Sequence, residues 1–149
     1  MQQHQQQSTC QEEHILLLGE ADCSFARAIG QRGGLDGICV TATELGTPSD
    51  VCSRYFGGCA EALAARCDEL NSYGIRVVLG VDVTRLECND CVHAWDAASR
   101  VFIEMPLWRS DGAGGDASTA MAATSCPASL VVFNFPHTTR PGKMAKLLM

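Results

Sequence analysis

Residues 129–137 combine an apolar run with polar groups that could bind a ligand, in the order Ser-Leu-Val-Val-Phe-Asn-Phe-Pro-His. β-branched and aromatic side chains favour a buried strand, and Asn134 then offers both an amide donor and an amide acceptor. Pro136 stiffens the turn that follows, and the aromatic ring of Phe135 and the imidazole of His137 flank it. Polar groups at the carboxyl end of an α/β strand predict a ligand site.

A second group of candidate residues lies where the first predicted strand turns into the first predicted helix. It consists of Gly19, Glu20, Asp22, Ser24 and Phe25. The free amides of a helix N-terminus suit the polar part of a nucleotide-like cofactor. The turn lacks the Gly-x-Gly-x-x-Gly pattern, and its two carboxylates would repel a pyrophosphate. They favour the amino group and sulfonium of S-adenosylmethionine over a nicotinamide dinucleotide, while a capped turn with solvated acids remains the alternative.

Two further acids follow the next two predicted strands. Glu44 ends the second strand, 25 residues after Gly19. A carboxylate at that place commonly accepts hydrogen bonds from ribose hydroxyls, although a solvated acid before a turn is equally compatible with the pattern. Asp82 follows the third strand and could bond an adenine amino group, with Thr84 two residues later. Acids at three successive strand ends therefore predict one cofactor site.

The predicted elements that position these groups alternate between strand and helix. Strands are expected at 14–19, 38–43, 75–79 and 129–133, and helices at 24–31, 47–56, 59–73 and 92–104. The second helix has a clear start, because Thr47 can cap it, Pro48 suits its first position and Asp50 places a carboxylate at its third position. The third helix carries an apolar stripe formed by Leu63, Cys67 and Leu70. This alternation predicts an α/β fold with a doubly wound parallel sheet, of which four strands form about half.

Composition predicts one domain, covering residues 14–149, with a flexible insertion at 105–127 and a glutamine-rich tail at 1–13. No apolar run reaches the roughly 18–20 residues that span a bilayer, and no secretory signal is apparent, so we expect an intracellular protein without a membrane partner. The pair Cys88-Asn-Asp-Cys91 has no second pair to complete a zinc site, so no metal is predicted. The net charge of −6 argues against a broad nucleic-acid surface, and the last ten residues carry only Arg140, Lys143 and Lys146 as charged side chains.

Four segments in order carry a specific resemblance. They are Ile-Leu-Leu-Leu-Gly-Glu-Ala-Asp-Cys-Ser-Phe (15–25), Thr-Ala-Thr (41–43), Leu-Gly-Val-Asp-Val-Thr (79–84) and Val-Phe-Asn-Phe-Pro-His (132–137). Together they resemble the Rossmann-like methyltransferases that make N3-methyluridine in large-subunit ribosomal RNA. Ala21 and Cys23 stand where that family has a glycine and a phenylalanine, and family members continue well beyond the position of His137.

The resemblance implies methyl transfer from S-adenosylmethionine to N3 of a uridine in ribosomal RNA, in the nucleolus or the cytoplasm. It implies that Asn134 and Pro136 hold the edge of the base, and that Phe135 or His137 stacks on it. His137 could also accept the N3 proton. Two alternatives stay open, namely a truncated chain that retains at most cofactor binding and a nicotinamide-dependent oxidoreductase. The oligomeric state is not predicted.

Overall fold

A computed structural model describes residues 13–108 and 128–133. Within these residues the chain builds one mixed sheet of six strands with helices packed against it. The elements in chain order are β1 (Glu13–Leu18), α1 (Ser24–Arg32), β2 (Ile38–Glu44), α2 (Pro48–Tyr55), α3 (Ala60–Ser72), β3 (Ile75–Leu79), a 3-10 helix (Val83–Cys88), β4 (Val92–Asp96), β5 (Val101–Met105) and β6 (Leu130–Phe133). Residues 1–12 of the predicted tail and residues 109–127 of the predicted insertion lie outside the described residues.

The strand order across the sheet is β5-β4-β3-β2-β1-β6. Strands β1, β2, β3 and β6 run parallel, as predicted for the four strands of a doubly wound sheet. The chain moves outward from β1 to β3 and later returns to the opposite side of β1 with β6. This reversal is a topological switch point, and open α/β sheets bind ligands beyond the carboxyl ends of the strands that flank such a point. We call the region beyond the carboxyl ends of β1 and β6 the β1–β6 crevice.

The helix predicted over residues 92–104 is wrong, because this segment forms the antiparallel hairpin of β4 and β5. Trp95 and Phe102 are register partners whose ring centroids lie 5.0 Å apart in an edge-to-face arrangement. Alternation of large side chains in both halves of this segment suits a half-buried strand pair. The sheet is consequently mixed instead of purely parallel, since β4 pairs antiparallel with β3.

The two central helices begin and pack as their sequence signals predict. Thr47 caps α2 by accepting a hydrogen bond from the Asp50 amide, and the Asp50 carboxylate bonds the Thr47 amide in return. The predicted stripe of Leu63, Cys67 and Leu70 forms the buried face of α3. Within the described part of the chain, no helix is both long enough and apolar enough to cross a membrane.

The sheet separates two apolar clusters. The larger lies under the helices and includes Leu17, Val77 and Leu79 from the strands. The smaller lies on the opposite face, where Val78 packs with residues that include Leu107 near the start of the predicted insertion. Because successive side chains of a strand point to opposite faces, β3 contributes to both clusters. This two-sided burial holds the strand ends, and the loops that follow them, in fixed positions.

Candidate active site

The turn between β1 and α1, residues 19–23, has an unusual backbone. Gly19, Ala21 and Cys23 all have positive φ, at 71°, 52° and 62°. Residues other than glycine rarely adopt this left-handed conformation, because the Cβ atom crowds the backbone. The turn is held by its neighbours, since the Glu20 amide donates to the carbonyl of Thr43 in β2 at 3.0 Å.

Glu20 lies inside the turn and not in solvent. Its side chain is buried, and Oε2 accepts a hydrogen bond from the Ala26 amide in the first turn of α1 at 2.9 Å. A helix N-terminus attracts anions, and here this position is taken by the protein's own carboxylate. The geometry leaves little reason for a pyrophosphate to bind there and argues against the nicotinamide alternative.

Glu44 serves the same turn from the end of β2. Its carboxylate is buried, and Oε2 accepts a hydrogen bond from the Ala21 amide at 2.8 Å. Glu44 therefore stabilises Ala21, a residue other than glycine, in its left-handed conformation. The bond from a ribose hydroxyl to Glu44 stays a prediction. The contact with Ala21 gives Glu44 a structural role as well.

Asp22 and Ser24 lie on the outer side of the turn, where Asp22 is half-buried and Ser24 is exposed. Asp22 accepts hydrogen bonds from the Ser24 amide at 3.0 Å and from the Ser24 hydroxyl at 2.6 Å. Partial burial acts to raise the pKa of Asp22, but these bonds and the charge of Arg66 outweigh it and leave the pKa below its ordinary value. Asp22 thus offers a carboxylate to a cationic ligand. Phe25 follows with an exposed ring that could stack on a flat group.

The Cys23 thiol, in contrast, is a packing group. It is buried in the larger apolar cluster. Burial, reinforced by the negative charge of Glu20, raises the pKa of this thiol far above its ordinary range. Cys23 therefore stays protonated at neutral pH and has no nucleophilic character.

Asp82 lies in the loop after β3, at the same edge of the sheet. Its carboxylate accepts hydrogen bonds from the amide and the hydroxyl of Thr84, at 2.9 and 2.6 Å. The neighbouring Val81 amide donates to the Glu44 carbonyl at 3.0 Å, so the loops after β2 and β3 are joined. The fold thus brings Glu20, Glu44 and the loop of Asp82 to one edge, as the positions of the three acids predicted.

Two residues that shape this edge were missed by the sequence reasoning. Asn89 is buried, accepts a hydrogen bond from the Asp82 amide, and donates to the carbonyls of Asp82, Arg85 and Leu86. Arg66 of α3 donates to the carbonyl of Asp22. Asn89 lies between Cys88 and Cys91 of the Cys-x-x-Cys pair. Asparagine is typical of turns, and this residue type in a predicted loop was the sequence signal that could have identified it. Arg66 adjoins the predicted apolar stripe of α3, where a charged residue is a candidate for a specific partner.

Metal ligands do not assemble in the part of the chain that the structure describes. Cys88 and Cys91 are exposed free thiols. Among residues 13–108 and 128–133, no group of three or more His, Cys, Asp or Glu could hold a metal ion.

The residues predicted to contact the base, Asn134, Pro136 and His137, lie outside the described residues. The last described residue, Phe133, is the register partner of Leu18 in β1. Phe133 is therefore level with the residue that precedes Gly19, at the crevice between β1 and β6.

A cavity of about 570 Å³ lies elsewhere, between α2, α3 and the β4–β5 hairpin. Its walls include Leu63, Trp95 and Phe102 but none of the predicted cofactor residues. The chemistry of the strand ends and the position of the switch point favour the β1–β6 crevice over this cavity as the cofactor site.

A family model described as BMT5-like, rRNA (uridine-N3-)-methyltransferase BTM5-like, matches residues 16–147. No curated protein and no solved structure matches the chain.

Proposed function

We propose that this chain, which belongs to the BMT5-like family of rRNA (uridine-N3-)-methyltransferases, transfers a methyl group from S-adenosylmethionine to N3 of a uridine in large-subunit ribosomal RNA. The observation that carries the proposal is the family match over residues 16–147, which spans the turn, all three strand-end acids and the Asn134–His137 segment. A substrate of this kind would place the protein in the nucleolus or the cytoplasm.

The residues around the β1–α1 turn suit S-adenosylmethionine. The Glu20 carboxylate occupies the N-terminal end of α1, which disfavours a phosphate-bearing cofactor, and the Asp22 carboxylate is available to an amino group. Glu44 would hold the ribose hydroxyls and Asp82 the adenine amino group, with Gly19, Ser24, Phe25 and Thr84 completing the site. When bound, this cofactor supplies an electrophilic methyl group.

The chain's own contribution to the reaction is to hold the base and to remove a proton. N3 of uridine lies on the Watson–Crick edge, so the base must be unpaired or flipped out of a helix. The Asn134 carboxamide would hold that edge, Pro136 would keep the segment rigid, and Phe135 or His137 would stack on the ring. His137 would accept the N3 proton and leave a nucleophilic nitrogen.

Methyl transfer to purified large-subunit ribosomal RNA tests the proposal. We expect the full chain to form N3-methyluridine, detected by mass spectrometry of RNA digested to nucleosides. Cofactor binding without transfer would contradict the enzymatic proposal and favour the truncated, non-catalytic alternative. Binding of a reduced nicotinamide dinucleotide without binding of S-adenosylmethionine would favour the oxidoreductase instead.

Calorimetric titration with S-adenosylmethionine tests the site itself. Asp82→Ala should weaken binding by about 1–3 kcal/mol, because a charged hydrogen bond to the cofactor is lost. Glu87→Ala removes an exposed carboxylate from the 3-10 helix that follows Asp82, and it should leave the affinity for S-adenosylmethionine unchanged. Equal affinities for the two variants would show that Asp82 is not part of the site.

A further inference from the structure

Helix α3 reaches the β1–α1 turn through one side chain. Arg66 donates from Nη1 to the carbonyl oxygen of Asp22 at 2.7 Å, across 44 positions of sequence. Ala21 and Cys23, on either side of Asp22, both adopt the left-handed conformation although neither is glycine. The bond therefore acts on the peptide unit that joins Asp22 to Cys23, one residue after Ala21.

The Arg66 guanidinium is itself fixed by other contacts. Its side chain is 20% exposed, and Nε lies 3.7 Å from Oε2 of Glu69 on the same helix. Its Cζ atom lies 5.9 Å from the centroid of the Phe56 ring, within the range of a cation–π contact. A guanidinium held on several sides is an effective donor, because little side-chain freedom remains to be lost when it binds.

Glu69 extends this connection to the start of α1. Its Oε1 atom accepts a hydrogen bond from Nε of Arg27 at 2.7 Å, while its Oε2 atom faces Arg66. Helix α3 thereby contacts the chain on both sides of the α1 N-terminus, at the Asp22 carbonyl and at Arg27. The bond from Arg66 to the Asp22 carbonyl is half-buried, whereas the ion pair between Arg27 and Glu69 is exposed. The bond to Asp22 should therefore contribute more to the stability of the turn.

We infer that Arg66 is a positioning residue for the cofactor, acting through the carbonyl of Asp22 to hold the β1–α1 turn in its left-handed form. The turn needs such a restraint, because a residue other than glycine in this conformation is held in place only by its surroundings. Glu44 restrains Ala21 from the sheet side, and Arg66 restrains Asp22 from the helix side. The role in cofactor binding rests on the proposed function, whereas the role in holding the turn does not.

Arg66→Met tests the inference, because methionine keeps an unbranched apolar side chain and removes every donor. In the full chain we expect faster hydrogen exchange of the amides in residues 19–27, with unchanged protection of β3. The dissociation constant for S-adenosylmethionine should rise about tenfold, the effect of losing one charge-assisted hydrogen bond. In turnover assays the KM for S-adenosylmethionine should rise while kcat is retained, since Arg66 touches neither reacting group.

Two further variants complete the test. Arg54→Met removes an exposed arginine from α2 and should change neither exchange nor affinity. Arg66→Lys keeps the charge and a donor nitrogen, so it should recover part of both effects. It is the decisive variant if Arg66→Met does not fold.

The outcomes separate the inference from the proposed function. Unchanged exchange in residues 19–27, or equal acceleration throughout the sheet, would overturn the positioning role of Arg66. Failure of the unmodified chain to bind S-adenosylmethionine would instead contradict the proposed function, while the exchange data would still decide whether Arg66 holds the turn.

Discussion

Two carboxylates at the strand ends hold backbone amides. Glu20 accepts a bond from Ala26 and Glu44 accepts one from Ala21. Each of these two acids is buried, and a buried carboxylate is stable only when hydrogen bonds replace its lost hydration. The site therefore has a preorganised turn, whose shape is set before any ligand arrives.

At this scale, Ala21→Gly is expected to stabilise the protein. Ala21 has φ of 52°, a conformation that costs a residue with a Cβ atom roughly 1–2 kcal/mol, whereas glycine adopts it freely. After subtraction of the greater chain entropy of glycine, the free energy of unfolding should rise by about 0.5–1 kcal/mol, measured by urea denaturation. Ala26→Gly in α1 is the control and should lower that free energy by about 1 kcal/mol or more. A loss of stability in Ala21→Gly would show that the left-handed turn is not strained.

Among the elements, the segment after β3 contributes most to the shape of the site apart from the β1–α1 turn. The 3-10 helix Val83–Cys88 is irregular, because Arg85 has a non-helical backbone. The Asn89 side chain bonds Asp82 before this helix and the carbonyl of Arg85 within it, and the backbone carbonyl of Asn89 accepts a hydrogen bond from the Leu107 amide at 2.9 Å. One buried amide thus joins the Asp82 loop to the chain beyond β5.

The expected consequence is that Asn89→Ala loosens this loop. The substitution leaves buried backbone groups without partners, so the free energy of unfolding should fall by about 1–3 kcal/mol. Asp90→Ala, at the exposed neighbouring position, should change stability by less than about 0.5 kcal/mol. If both variants unfold at the same urea concentration, the bonds of Asn89 do not contribute to stability.

The whole molecule is acidic, with a net charge of −6, and several of its carboxylates cap turns. The pKa values of Asp50, Asp82 and Asp96 lie below the ordinary value of 3.8, because hydroxyl groups of Thr47, Thr84 and Ser99 donate to them. The folded state therefore releases these protons more readily than the unfolded chain. Its stabilisation by these groups is complete above about pH 3.8 and is lost as the pH falls through the lower folded-state pKa values.

Acid titration of stability measures this effect. The free energy of unfolding, measured by urea denaturation at each pH, should decrease as the pH falls from 5 toward 2.5. Thr84→Val removes the hydroxyl that lowers the pKa of Asp82. The free energy of unfolding of this variant should therefore change less over this pH range than that of the unmodified protein. Constant stability of the unmodified protein between these pH values would contradict the assigned pKa shifts.

The sequence alone determined the features that depend on neighbours within a few positions. The capping box at Thr47 and Asp50 was predicted because both partners lie in one turn, and the buried stripe of α3 was predicted from helical periodicity. The four parallel strands and the placement of three acids at their ends followed from the same local patterns. The base-contacting residues Asn134, Pro136 and His137 stay predictions.

The tertiary structure decided everything that depends on contacts between distant segments. The hairpin around Trp95 and Phe102 joins the sheet because β3 offers an edge to pair with, and no local pattern records which strand offers that edge. The bond from Arg66 to the Asp22 carbonyl and the bond from the Ala21 amide to Glu44 join positions more than 20 residues apart. Such pairs form only after helices and strands have packed, because packing then determines which polar groups face each other.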